Sequence, residues 1–374
     1  MLVAHLRKTI GALLRRPRPR AASFVAGRQG SRGDVSDNKQ APVDVVGVGN
    51  AIVDVISHAN DEFLRSEGLV KNSMALIDAD RAHELYARMG PGIEASGGSC
   101  ANTMAGVASF GGSAAYIGKI SNDQLGEVFT HDMRAVGVDF DVPPAVTGPS
   151  TARCLILVTP DAQRTMNTYL GVSSLLEPDD VVPATVERSS LLLCEGYLWD
   201  VDSAKQSIRK AMEVARAGGG RSALTLSDTF CVKRHHDEFR ELVVSSVDVL
   251  FANRAELYAL YDVDDLDTAI EAVRAEVELA CITLGTSGSV LVTPDDLVEV
   301  EAAEIAPVVD TTGAGDQYAA GVLFGLARGL GLADAGWLGS LAAAEVISHV
   351  GPRPSMPLSE LFDDDMRRRA AAAR

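Results

Sequence analysis

From Val43 onward the chain alternates between short, β-branched apolar runs and longer segments with helical spacing. The first run, Val43–Ile56 (VDVVGVGNAIVDVI), contains Gly47 and Gly49 and predicts one buried strand whose backbone closely approaches another group. Further strands are predicted at Met74–Ile77, Ala114–Ile117, Cys154–Val158, Met166–Tyr169, Leu191–Cys194, Leu224–Ser227, Val247–Phe251, Cys281–Leu284 and Ser289–Val292. Helical spacing marks Asp80–Met89, Ala101–Phe110, Leu125–Ala135, Asp202–Ala217, His236–Ser245, Arg254–Tyr261, Leu266–Ala280, Gly315–Gly329 and Ala333–Val350. Strands alternating with helices predict an α/β fold, with a mostly parallel sheet covered on both faces. Two zones, about 57–95 and about 140–172, hold short strand segments without enough helix between them for crossovers. They predict a small β-sheet lid over the carboxyl-end crevice, where such sheets bind ligands. No repeat or long low-complexity linker follows residue 41, so one domain over 41–360 with a short tail, 361–374, is expected.

Residues 1–40 break this pattern. Nine basic residues (Arg7, Lys8, Arg15, Arg16, Arg18, Arg20, Arg28, Arg32, Lys39) face only Asp34 and Asp37, a local charge of +7. Such an Arg-rich, acid-poor leader is similar to an organelle transit segment; a disordered tail or an upstream start codon are the plainer readings. The compartment expected is the cytoplasm, or an organelle if the leader is a targeting segment. With the whole chain at −17, the remainder carries −24, which excludes a nucleic-acid surface built on a basic footprint. Cys100, Cys154, Cys194, Cys231 and Cys281 lie 37 to 54 residues apart, with no C-x-x-C pair, so neither a zinc site nor a disulfide framework is expected. No apolar run reaches the roughly 18 residues of a membrane span.

The candidate chemistry concentrates in Val308–Gly329, VVDTTGAGDQYAAGVLFGLARG. Here Asp310, Thr311 and Thr312 lead into Gly313, Ala314, Gly315 and Asp316 at the start of a long helical pattern. The glycines let consecutive N–H groups converge beside the positive end of a helix dipole, which suits phosphate. Asp316 opposes that anion, which makes sense if it takes a proton from a hydroxyl attacking phosphorus. The alternative is an ordinary helix start with an acid in its first turn. A second segment, Ser96–Glu127, places Gly97 and Gly98 before a helix carrying Asn102, offering bare backbone and an amide to a hydroxylated ligand.

These two segments resemble the signature regions of the ribokinase-like (PfkB) carbohydrate and nucleoside kinases, and D-T-T-G-A-G-D is highly specific. The similarity runs from about Val43 to Pro357. Within the family, GNAIVDV, LIDADRA, TMNTYLG, EGYLWD, TLSDTFCV, FANRAE and the closing GPRP resemble the bacterial adenosine kinase branch. The resemblance implies a three-layer α/β/α fold and ATP-dependent phosphorylation of the adenosine 5′-hydroxyl, with Mg²⁺ and optionally K⁺, in a monomer or homodimer. It makes Asp316 the base, with the backbone of Gly313, Ala314 and Gly315 as anion hole and Arg164 as the cation brought to the phosphates. Asp54 would accept the ribose hydroxyls with Asn50 beside it, and Gly97, Gly98 and Asn102 would complete the sugar pocket. Asn253 and Glu256 match an N-x-x-E motif that organises Mg²⁺ through water, Thr283 and Gly285 match a loop bordering ATP, and Thr312 lies beside the phosphates. Main-chain oxygens near Asp310, Thr312 and 348–351 are where a monovalent cation is expected. Tyr197, Trp199 and Phe230 follow predicted strand ends, where aromatic faces suit a purine; core packing is the alternative.

Two other motifs fail. In Gly47-Val48-Gly49 the third position of a dinucleotide fingerprint is Ile52, and Gly112–Lys119 spaces its glycines wrongly for a Walker loop, with Ile120 where a hydroxyl must bind Mg²⁺. The remaining rivals are a sugar kinase of the same fold (fructokinase, ribokinase or 2-keto-3-deoxygluconate kinase) and a catalytically inactive nucleoside-binding protein.

Overall fold

The structure is a computed structural model that describes residues 42–161 and 163–362. The leader expected at 1–40, and residues 363–374 of the tail, lie outside the described residues. The run Val43–Ile56 is two strands rather than one: β1 (Val43–Val48) and β2 (Ile52–His58) belong to different sheets, with the chain crossing between them at Gly49-Asn50-Ala51. The burial patterns give the reason. β1 is covered on both faces, whereas β2 alternates and is covered on one, a change an unbroken apolar run does not reveal. The remaining strands are β3 (Met74–Leu76), β4 (Gly92–Gly97), β5 (Ala114–Ile117), β6 (Val138–Asp139), β7 (Ala152–Val158), β8 (Arg164–Tyr169), β9 (Ser189–Glu195), β10 (Arg221–Thr225), β11 (Val249–Asn253), β12 (Leu279–Thr283), β13 (Ser289–Val292) and β14 (Leu297–Val300).

The larger sheet has the order β14-β13-β12-β11-β10-β9-β1-β5-β6. It is parallel from β12 to β6, and β13 and β14 run antiparallel at one edge. From β1 the chain builds β5 and β6 on one side, then returns to add β9 to β12 on the other. The reversal sits between β1 and β9, and the crevice outside their carboxyl ends is where such sheets bind ligands. Helices fill the crossovers, and those over Gln124–Ala135, Arg254–Tyr261 and Leu266–Arg274 start at a side-chain cap from Asp123, Asn253 and Asp265. The helix expected over Leu266–Ala280 stops at Arg274, because Leu279 begins β12 (LACIT), whose alternating-free apolar stretch fits a buried strand as well as a helix.

The second sheet, β3-β8-β7-β2-β4, takes β2 in addition to segments of the two irregular zones. Val55, Leu155 and Leu157 on one face form a buried cluster with Leu64 and Leu85 of two short helices. Asp54 and Cys154, register partners on β2 and β7, lie on the opposite face. Helices Ser99–Ser109 and Ala314–Ala327 pack side by side against the larger sheet, and stacked Phe110 and Phe324 close their far ends with ring centroids 5.1 Å apart. Such a pair contributes about 0.5–1.5 kcal/mol beyond its buried area. The five cysteines are buried and free. Among the described residues, no helix is long and apolar enough to cross a membrane.

Candidate active site

Asp316 stands in the first turn of helix Ala314–Ala327. The turn into that helix requires Gly313: its φ is 79°, and a Cβ there would lie 2.6 Å from Pro352 Cα. A Cβ on Gly315 would meet nothing within 4 Å, so that part of the turn is open. The leading N–H groups of the helix lack intrahelical partners, and of these Ala314 N–H reaches Thr311 O at 3.3 Å. Ser99 Oγ donates to Asp316 Oδ1 at 2.6 Å, and Asn102 Nδ2 donates to Oδ2 at 3.2 Å. Burial raises the Asp316 pKa, and these two hydrogen bonds oppose the rise. Asn102 is itself fixed: its Oδ1 accepts from Arg353 Nε at 3.1 Å, while Arg353 Nη1 donates to Ser96 Oγ at 2.7 Å.

Arg164, at the start of β8, reaches from the second sheet to the loop before Gly313. Its Nη2 lies 2.6 Å from Asp310 Oδ2, and its Nη1 donates to Thr312 Oγ1 at 2.8 Å. Asp310 also accepts from Thr312 N and Oγ1 and from Gly351 N, which joins the loop to residues 348–351. Its carboxylate is therefore filled by donors and a guanidinium. That leaves main-chain oxygens of this loop, as expected from the sequence, as the groups that could serve a monovalent cation.

Asp54 lies against bare backbone, since a Cβ on Gly97 would come within 2.3 Å of its Oδ2. Gly98 follows at a φ of 92° and caps helix Ser99–Ser109. Burial pushes the Asp54 pKa up to about 7, opposed by Arg353 and Arg164 and assisted by Asp316. Arg164, Arg353 and Asp316 thus all act on Asp54 across one crevice. Asn50 is 2% exposed and tied to two buried groups: its Nδ2 donates to Glu195 Oε1 at 3.0 Å, and its Oδ1 accepts from Ser173 Oγ at 3.0 Å. Glu195, the last residue of β9, also accepts from Cys100 N at 3.0 Å; burial pushes its pKa up to about 7.

The other expected residues line the same carboxyl edge farther along. Asn253 and Thr283 are register partners at the ends of β11 and β12, and Gly285 follows. Asn253 and Glu256 form a reciprocal capping box, with Asn253 Nδ2 also donating to Glu256 Oε1 at 2.6 Å. Glu256 is buried, and burial pushes its pKa up to about 7. The N-x-x-E spacing is thus first a helix start. Tyr197 is half-buried, and its hydroxyl donates to Ser227 O at 3.3 Å. Burial raises its pKa, and the charges of Asp228, Glu195, Asp316 and Glu256 add to the rise. Phe230 is 78% exposed. Trp199, by contrast, is core: it is fully buried against Phe239, its Nε1 donating to Glu238. Among the described residues, no group of three or more His, Cys, Asp or Glu is arranged to hold a metal ion.

Sequence reasoning passed over Ser99, Glu195 and Arg353, although all three stand inside quoted motifs. Nothing in their spacing signals that they converge on Asn102, Asp316 and Asn50.

The model for the pfkB family of carbohydrate kinases matches residues 74–358. The chain belongs to that family. Like its relatives it is a phosphotransferase with a hydroxyl acceptor, a class that uses ATP, typically with Mg²⁺. This kinase resembles the adenosine kinase of Sinorhizobium meliloti, at 51% identity and a TM-score of 0.81 over 87% of this chain and 100% of that one. It also resembles a probable sugar kinase of Rhizobium etli, at 47% identity and a TM-score of 0.82 over 87% and 99%. The 5-dehydro-2-deoxygluconokinase of Geobacillus thermodenitrificans is 28% identical over 296 residues, 74% of this chain and 85% of that one.

Proposed function

We propose that this kinase transfers the γ-phosphoryl group of ATP to the 5′-hydroxyl of adenosine, giving AMP and ADP. The observation that carries the reading is the shared crevice of Asp54 and Asp316: one carboxylate against bare Gly97, the other at a helix start beside an open glycine turn. Asp54 is a suitable reader of a vicinal diol, which donates two O–H groups to one carboxylate. Asp316 takes the proton of the remaining hydroxyl as it attacks. The amides of Gly313, Ala314 and Gly315 and the Arg164 guanidinium meet the charge that develops on the transferring group. For this, Arg164 exchanges Asp310 for a phosphate oxygen. Mg²⁺ bound to the nucleotide phosphates would screen their charge, with Glu256 acting on it through water. Thr283 and Gly285 border the nucleotide, and any K⁺ is held by main-chain oxygens near Asp310 and Thr312. The second sheet acts as a lid that keeps water from the phosphate.

An exposed Phe230 and a half-buried Tyr197 at neighbouring strand ends favour a base-bearing acceptor over a bare sugar, since burying a purine between aromatic faces recovers their apolar area. A sugar acceptor is the second reading, favoured by the Rhizobium etli likeness. Coupled ADP release, measured with adenosine and with a panel of fructose, ribose and keto-deoxy acids, separates the two. Adenosine is expected to be the efficient acceptor; turnover of sugars without adenosine overturns the assignment. Phe230→Ala should raise the KM for adenosine without lowering Tm.

A further inference from the structure

The two groups that hold Asp316 differ in how firmly they are themselves held. Asn102 is 4% exposed and pinned from its other side by Arg353 Nε at 3.1 Å. Ser99 is half-buried at the crevice, and its hydroxyl is a single rotor about χ1. It does not cap its own helix: Gly98 is the N-cap, with no side-chain capping bond. Its one hydroxyl hydrogen is directed at Asp316 Oδ1, at 2.6 Å. That is the short, charge-assisted geometry an acceptor hydroxyl adopts toward its base.

We propose that the Ser99 hydroxyl is a placeholder for the acceptor hydroxyl, occupying Asp316 Oδ1 when no acceptor is bound and so suppressing hydrolysis of ATP by water. The inference rests on Asp316 being the base. In transfer, the acceptor oxygen bonds to the γ-phosphorus, the bond from that phosphorus to the β–γ bridging oxygen breaks to leave ADP, and the acceptor proton passes to Asp316. In hydrolysis, a water oxygen takes the acceptor's place, the same bond breaks, and a water proton passes to Asp316, yielding inorganic phosphate. A water must reach Asp316 Oδ1 for that second route. Ser99 denies it the position, and an incoming acceptor displaces Ser99 by turning one torsion while Asn102 keeps the carboxylate aimed.

The test measures ADP release from Mg-ATP without any acceptor, in the full-length wild type and in Ser99→Ala, Ser99→Gly and Ser99→Thr. Losing a hydrogen bond to a charged group should raise acceptor-free ADP release about tenfold or more in Ser99→Ala and Ser99→Gly. Ser99→Thr, which keeps the hydroxyl, should stay near wild type. Adding Asp316→Asn to Ser99→Ala should remove the increase. Unchanged or lower acceptor-free release in both hydroxyl-free variants overturns the proposal, as does an increase that survives Asp316→Asn. Because no acceptor is present, a wrong assignment of adenosine leaves this readout intact and shows separately in the acceptor panel.

Discussion

Arg164 Nη2 lies 2.6 Å from Asp310 Oδ2, and this ion pair ties the β7–β8 hairpin of the second sheet to the loop that delivers Gly313 and Asp316. Both side chains are only about one-tenth exposed (10% each), so the pair works in a weaker solvent screen than a surface bridge. Arg164→Ala should lower kcat about 100-fold, by removing a charge suited to the transferring phosphate. It should also leave Asp310 short of one donor and make the 310–313 loop easier to open. Arg164→Lys, a point charge without the fork that serves Asp310 and Thr312 together, should recover little of the loss. Steady-state kinetics with hydrogen exchange over the loop check this; unchanged kcat in Arg164→Ala would refute the role.

Asp316→Asn preserves the shape of the site but removes the proton acceptor. Turnover should fall by about 10²–10⁴. Calorimetric titration should still detect adenosine binding, because Asp54 and Gly97 are untouched. Comparable turnover in the variant would dismiss Asp316 as the base.

Gly97→Ala tests the Asp54 pocket from the backbone side. The added Cβ would fall 2.3 Å from Asp54 Oδ2, so the carboxylate must move. The KM for the acceptor should rise about tenfold, in line with loss of one charge-assisted hydrogen bond. The KM for ATP should change little. Equal acceptor KM in both proteins would show that Asp54 does not read the acceptor.

Glu195 makes stability depend on pH. Burial raises its folded pKa from 4.5 to about 7, so the folded protein holds the proton more tightly than the unfolded chain. The stability this supplies is fully present below about pH 4.5 and is lost as pH rises through about 7, a swing on the order of 3 kcal/mol. Glu195→Gln stays neutral throughout. Its Tm relative to wild type should therefore climb from about pH 5 to about pH 8. A constant difference across that range would mean that Glu195 is not the titrating group.

The α/β class, the two signature segments and most strands were legible because they are written locally. Buried parallel strands read as apolar runs, and Gly313-Ala314-Gly315-Asp316 needs only adjacent residues to form its turn. What was misread follows from the same locality. Val43–Ile56 reads as one strand because β1 and β2 are both apolar, and only their partners, β9 and β5 against β7 and β4, separate them into two sheets. Trp199 and Phe230 follow comparable strand ends, yet packing buries one and exposes the other.

The sequence by itself determined the family and the chemistry on offer: a carboxylate at a glycine-rich helix start, an arginine in a hairpin and a second carboxylate, Asp54, close to a glycine pair. Tertiary structure decided how they are held. Ser99 meets Asp316 across 217 positions, Arg353 meets Asn102 across 251, and Asn50 meets Glu195 across 145. Hydrogen bonds at such separations depend on where the parallel sheet brings its strand ends and helix starts together, and no periodicity along the chain encodes that convergence.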